Sequence, residues 1–207
     1  MEDILELFSA NSWLLVRTDK VDEFVKKFGL ELYSNTFNWQ DSETVSFEDS
    51  PVTTSNILTY NASKIVITSE INGYCIVESK SVNYLFKEFC ENLSINSDTY
   101  RFLIDIWVPE MLFEYYKNGN LVRRVEYDLD ESSQAVTVNE EGQKLDFESE
   151  NLAMQFTDYN YGEFYFPLSI MNYLGISVSD IRKMLKTNCS IFRLGKEFIN
   201  LIFKKTN

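Results

Sequence analysis

The stretch from Arg101 to Tyr127, RFLIDIWVPEMLFEYYKNGNLVRRVEY, decides the fold class, because β-forming runs are separated in it by breaks of recognisable chemistry. Phe102, Ile104, Ile106 and Val108 alternate with Arg101, Leu103, Asp105 and Trp107, the period that sends successive side chains to opposite faces of a strand. Pro109 has no amide hydrogen with which to continue a ladder, so the strand should end there. Met111 to Lys117 then leads into Asn118-Gly119, the pair best suited to the two positive-φ positions of a type I′ turn, and Asn120 to Tyr127 returns. A turn this tight predicts Tyr116 opposite Leu121, Glu114 opposite Arg123 and Leu112 opposite Val125. The charge pair would add roughly 0.2–1 kcal/mol.

Outward from this meander, Lys64 to Ile71 and Tyr74 to Glu78 flank a second such turn, Asn72-Gly73, with Ile67 and Ile71 expected to share a face with Tyr74 and Ile76. Trp13 to Arg17 reads as a short buried strand. Val21, Phe24, Val25 and Phe28 carry the i, i+3, i+4, i+7 spacing of a helix stopped by Gly29. Leu30 to Tyr33 suggests a strand, and Asn35 to Ser55 a long surface loop anchored by Trp39 and Phe47. Val82, Leu85, Phe86, Phe89, Cys90 and Leu93 form the clearest helical stripe, capped by Ser79 or Ser81.

Beyond the meander, Ala135 to Val138 and Lys144 to Phe147 look like short strands about Gly142, with Phe164 to Phe166 as another. Pro167 suits the first turn of a helix carrying Ile170, Tyr173 and Leu174 and closed by Gly175. Ser177 or Ser179 would cap Asp180 to Lys186, and Phe198 to Phe203 would form a last helix. The expectation is an α+β protein: a single domain over residues 1–207, mainly an antiparallel twisted sheet with helices on one face, and a mainly helical C-terminal subdomain over 161–207.

The 207 residues include 44% apolar and 15% aromatic side chains, enough for a sizeable core, and no linker-like run divides them. MEDILELFSANSW carries acids where a signal peptide needs bases, and no run of about 18 apolar residues occurs. Cys75, Cys90 and Cys189 are odd in number and widely spaced. They fit reduced thiols in a cytoplasmic protein rather than a disulfide framework.

Charge is strongly polarised along the chain. Residues 1–160 hold 12 Lys+Arg against 29 Asp+Glu, whereas 161–207 hold 7 against 3. Between Glu126 and Glu163 eleven acids, Glu126, Asp128, Asp130, Glu131, Glu140, Glu141, Asp146, Glu148, Glu150, Asp158 and Glu163, accompany one base, Lys144. Such a segment would repel nucleic acid and attract a basic partner. Its aromatics, Tyr127, Phe147, Phe156, Tyr159, Tyr161, Phe164, Tyr165 and Phe166, could supply contact area or simply belong to the core.

No histidine occurs, which removes Ser-His-Asp and Cys-His catalysis and every His-bearing zinc site. Neither a P-loop nor a dinucleotide-binding glycine motif is present, and no cofactor is expected. Asp128-x-Asp130-Glu131 could hold a hard cation, but Ser133 stands where a calcium loop needs glycine, and a solvated loop is the simpler reading. Arg123-Arg124 could grip an anion, yet adjacent strand residues point to opposite faces. Cys90 lies on an apolar stripe and reads as core. Pro167 to Lys186, with Arg182, Lys183 and Lys186 on its second helix, has the outline of a helix-turn-helix, although such a turn joins any two packed helices.

Trp13-Leu14-Leu15-Val16, Asn72-Gly73-Tyr74, Asn118-Gly119-Asn120-Leu121-Val122-Arg123, Glu141-Gly142 with Leu145 and Glu148, and Phe166-Pro167 together resemble bacterial α+β domains of toxin-immunity systems, over residues 12 to 176. The resemblance implies a cytoplasmic, non-enzymatic protein that neutralises a toxin by binding it, and it transfers no active site. The expected contact residues are Asp128, Asp130, Glu131, Glu140, Glu141, Glu148, Glu150, Asp158, Tyr159 and Tyr161, facing a basic protein such as a nuclease toxin. Two other classes stay open. One is a metal-dependent hydrolase that brings at least two of Asp105, Glu114, Asp128 and Asp130 together; the other is a DNA-binding regulator using the C-terminal helices.

Overall fold

A computed structural model describes residues 12–38, 45–47, 50–52, 64–78, 86–105, 110–130, 135–148 and 165–193. The main sheet contains β1 (Ser12–Arg17), β2 (Glu31–Asn38), β5 (Lys64–Ile67), β6 (Tyr74–Glu78), β7 (Asp98–Asp105), β8 (Glu110–Lys117), β9 (Asn120–Asp130), β10 (Ala135–Gly142) and β11 (Asn188–Arg193). Every neighbouring pair is antiparallel, in the order β10-β9-β8-β7-β1-β6-β5-β11-β2. Four α-helices accompany it among the described residues, α1 (Val21–Lys27), α2 (Phe86–Leu93), α3 (Tyr165–Tyr173) and α4 (Val178–Leu185), with a 3-10 turn at Thr18–Lys20 leading into α1. The α+β class expected from the sequence is therefore present.

β1 explains the layering. Trp13, Leu14, Leu15 and Val16 are all fully buried, so this strand has apolar cover on both faces, as four consecutive apolar residues require. Trp13 and Leu15 join a core with Phe102, Phe113 and Val125 under α3 and α4, through Phe166, Ile170, Ile181 and Met184. Leu14 and Val16 join the opposite core with Phe24 and Phe28 beside α1, and with Phe89, Cys90 and Leu93 of α2. Helices thus cover both faces, which corrects the one-face expectation.

Both Asn-Gly turns form, with positive φ at Asn72, Gly73, Asn118 and Gly119. The register after the second is not the simple one. Tyr116 does face Leu121, but a bulge between Tyr115 and Tyr116 shifts the rest by one residue, so Glu114 faces Arg124, Tyr115 faces Arg123 and Phe113 faces Val125. At the first turn, β5 stops at Ile67 and lies in the α1 and α2 core, whereas Ile71, Tyr74 and Ile76 lie in the other. The proposed common face for these four residues is corrected.

Further differences trace to long-range pairing. β2 runs through Asn38, and β3 (Val45–Phe47) pairs with β4 (Ser50–Val52), all inside the stretch expected as loop. β10 is continuous from Ala135 to Gly142, and Lys144 to Phe147 is not a strand: Lys144 and Leu145 are irregular and Asp146 and Phe147 form a turn. Phe166 belongs to α3, with Pro167 in its first turn. Ser177 caps α4: its hydroxyl accepts from the Asp180 amide at 3.2 Å while the Asp180 carboxylate accepts from the Ser177 amide at 3.0 Å. Residues 188–193 then enter the main sheet between β5 and β2, where a mainly helical segment was expected. The expected helix Phe198 to Phe203 lies outside the described residues.

Thr99 on β7 sits between Val16 and Tyr116, fully buried, and its hydroxyl has no hydrogen-bond partner among the described residues. An unsatisfied buried hydroxyl costs about 1–3 kcal/mol. Thr99→Val is expected to stabilise the protein by about 1 kcal/mol, read as a higher urea midpoint at unchanged slope. A lower midpoint would show that the hydroxyl is satisfied.

Candidate functional site

The acid-rich end of the sheet is built by β8, β9 and β10 together with the 143–148 turn. Alternation on β9 sends Arg123, Val125 and Tyr127 to one face and Arg124, Glu126 and Asp128 to the other, so Arg123 and Arg124 do diverge.

Arg123 is the centre of a buried clamp. Its side chain is 1% exposed, and that of Glu148 is 0% exposed. Nε of Arg123 donates to both Glu148 oxygens at 3.0 and 3.1 Å, and Nη2 donates to Glu148 Oε2 at 2.6 Å and Glu140 Oε2 at 2.5 Å. Nη1 donates to the carbonyls of Glu141 and Gly142, each at 3.3 Å. Burial alone would lower the guanidinium pKa, but its hydrogen bonds to Glu148 and Glu140 outweigh burial, and the pKa is raised.

The clamp explains the turn. Glu148 Oε1 also accepts from the Leu145 amide at 3.0 Å, closing the 143–148 loop on itself. Gly142, at φ +84°, lies so close to β9 that a Cβ there would fall 2.0 Å from the Val122 carbonyl oxygen. Only glycine tolerates both the φ and the approach.

On the other face a row of alternating charge crosses four strands, because Arg101, Glu114, Arg124 and Glu141 are successive cross-strand partners. Glu114 is 3% exposed and accepts from Arg101 Nη1 at 2.7 Å and the Tyr116 hydroxyl at 3.1 Å, with Arg124 Nη1 at 3.5 Å. Arg124 also pairs with Glu126. On this face Glu114 and Arg124 tie β8 to β9, while Phe113 opposite Val125 and Met111 opposite Tyr127 pack the same two strands on the other.

These pairings sort the expected contact residues. Asp128, Glu140 and Glu141 are exposed at the end of the sheet, and Asp146 is exposed on the turn. Glu148 is not available to a partner, because Arg123 and the Leu145 amide occupy it inside the fold; this corrects its assignment as a contact residue. Asp130 ends β9, and its side chain lies outside the described residues, as do Glu131, Glu150, Asp158, Tyr159 and Tyr161. Sequence reasoning placed Arg123 opposite Glu114, but the bulge gives Glu114 to Arg124, and Arg123 bonds Glu148 instead. Its partner is 25 residues away, and nothing in the local pattern separates Glu148 from the other acids.

Glu114 is enclosed by Arg101, Arg124 and Tyr116, while Asp128 is exposed. Among the described residues no group of three or more acids or thiols is arranged to hold a metal ion. Cys90 is fully buried in the α1 and α2 core, and burial pushes its thiol pKa up, so it is placed as core. On α4, Ile181 and Met184 face the core while Arg182 and Lys183 are exposed, as is Lys186 just beyond its end. No helix among the described residues is long and apolar enough to cross a membrane. Comparison with family models, curated proteins and solved structures finds no match to this chain.

Proposed function

We propose that this is a non-enzymatic binding protein of the immunity or inhibitor type, acting in the cytoplasm, which captures a basic protein such as a nuclease toxin on the acid-rich end of its sheet. The carrying observation is that Asp128, Glu141 and Asp146 are exposed around a sheet margin whose buried charges are already paired. The net charge of −13 adds a long-range field of the same sign.

Fixed acids at a stiff margin speed encounter more than they slow release, because steering acts before contact. A partner isolated from the native cell is therefore expected to associate at least roughly tenfold more slowly as ionic strength rises from about 0.01 to about 0.15 M. Asp128→Lys with Glu141→Lys should reduce that dependence and the rate itself, with the dissociation rate changed much less. Surface plasmon resonance at several salt concentrations measures both. An association rate indifferent to salt would overturn the reading.

A further inference from the structure

We propose, on the premise that the partner is basic, that it is held by strand addition: the outer edge of β10 takes up an extended segment whose side chains alternate between basic and apolar. β10 is the last strand of the sheet, and no described strand pairs with its outer side. Eight consecutive residues, Ala135 to Gly142, pair with β9 without a register shift, so the outward peptide groups stand in an unbroken row. Its sequence, AVTVNEEG, contains no proline, no lysine and no bulge, and its two charges, Glu140 and Glu141, are acidic, so they would deter an acidic strand but not a basic one. The opposite edge is less suited, since β2 meets β11 through two register shifts.

The side chains beside this edge define what can be added. On one face Thr137, Asn139 and Glu141 are exposed, backed on β9 by Asp128, Glu126 and Arg124; three acids against one base leave this face negative, so an added strand would place Lys or Arg there, beside Thr137 and Asn139 rather than next to Arg124. On the other face Val138 is half-buried against the core beside Tyr127, and Glu140 next to it already pairs with Arg123 and Lys144, so the residue of the added strand that passes Val138 would be apolar. The Arg123 clamp holds the Glu141 and Gly142 carbonyls, which fixes the end of the edge before anything binds. A second copy of this chain is a poor occupant, because pairing two such edges would set their acidic margins against each other.

The test titrates the full ¹⁵N-labelled chain with an acetylated, amidated (Lys-Val)₄ peptide and with its fully N-methylated counterpart, which keeps the charges but has no backbone amide hydrogens. The expected result is amide shifts centred on residues 135–142, and binding at least tenfold weaker for the N-methylated peptide and for the Glu141→Lys chain. Equal binding of both peptides, shifts centred elsewhere, or self-association in place of peptide binding would overturn strand addition. In each of those cases a salt-dependent association of the native partner would leave the acidic-surface reading standing, whereas loss of that dependence would remove the premise as well.

Discussion

Glu148→Gln is expected to lower the unfolding free energy by about 3–5 kcal/mol, the usual cost of leaving one member of a buried ion pair without its counter-charge. The substitution keeps the shape but replaces one acceptor oxygen with an amide nitrogen. That nitrogen would point donors at the donors of Arg123, which now binds both carboxylate oxygens. Glu140 cannot take over, because its side chain is 32% exposed and reaches only Nη2. Arg123→Met should cost a similar amount, since Glu148 would then be a buried carboxylate held only by the Leu145 amide.

Arg123→Met combined with Glu148→Leu is expected to recover part of the loss, because apolar replacements of a buried pair are often neutral. Recovery should be incomplete. The Leu145 amide and the carbonyls of Glu141 and Gly142 would all lose their side-chain partners. Urea midpoints of the four proteins give the coupling, expected at about 2–3 kcal/mol. A single-variant cost below about 1 kcal/mol, the range of an exposed pair, would show that water reaches Arg123. Loosening should also spread to α3, because Phe147 contacts the rings of Phe166 and Tyr173 at 6.2 and 5.5 Å.

The same clamp shows where the sequence is legible and where it is not. Alternation and Asn-Gly pairs are local signals, and they place β7, β8, β9 and both tight turns close to where they occur. The bulge at Tyr115 and Tyr116 leaves no such mark, because alternation looks regular on either side of it, and one extra residue changes which arginine faces Glu114. β11 is short and mixed, and it pairs with strands more than a hundred residues earlier, so no local pattern announces it. Trp13 to Val16 carried the signal for two covered faces in its unbroken apolar run, which a one-sided sheet would not need. At the site, composition located the acidic end but could not sort it: Glu141 is exposed, whereas the Glu148 side chain is buried between Arg123 and the Leu145 amide.

Stability is expected to fall steeply once the pH passes about 10, the ordinary phenol value. Tyr100, Tyr115 and Tyr116 are 4%, 8% and 1% exposed, and burial, the largest cause in each, pushes all three phenols up. Neighbouring negative charge acts the same way: the Tyr115 hydroxyl donates to Asp98 at 2.6 Å and that of Tyr116 to Glu114 at 3.1 Å, bonds that require the proton. With the folded pKa above the unfolded one, the contribution is complete below about pH 10 and is lost as pH rises toward the folded values, because only the unfolded chain releases these protons. Each phenol approaches a slope of about 1.4 kcal/mol per pH unit only well above pH 10 and averages about half of that between about pH 9 and about pH 11, so the three together remove about 4 kcal/mol across that window, a large share of a typical domain's stability. Urea midpoints between about pH 9 and about pH 11 measure that slope. Tyr100→Phe should remove one phenol's share, about 1.4 kcal/mol across that window, which separates phenol release from lysine deprotonation and from the Cys75 and Cys90 thiols, whose pKa burial also raises. Phenolate absorbance rising at about pH 10 in the still-folded protein, for all its tyrosines together, would mean that these hydroxyls ionise without unfolding, and the slope would then be absent.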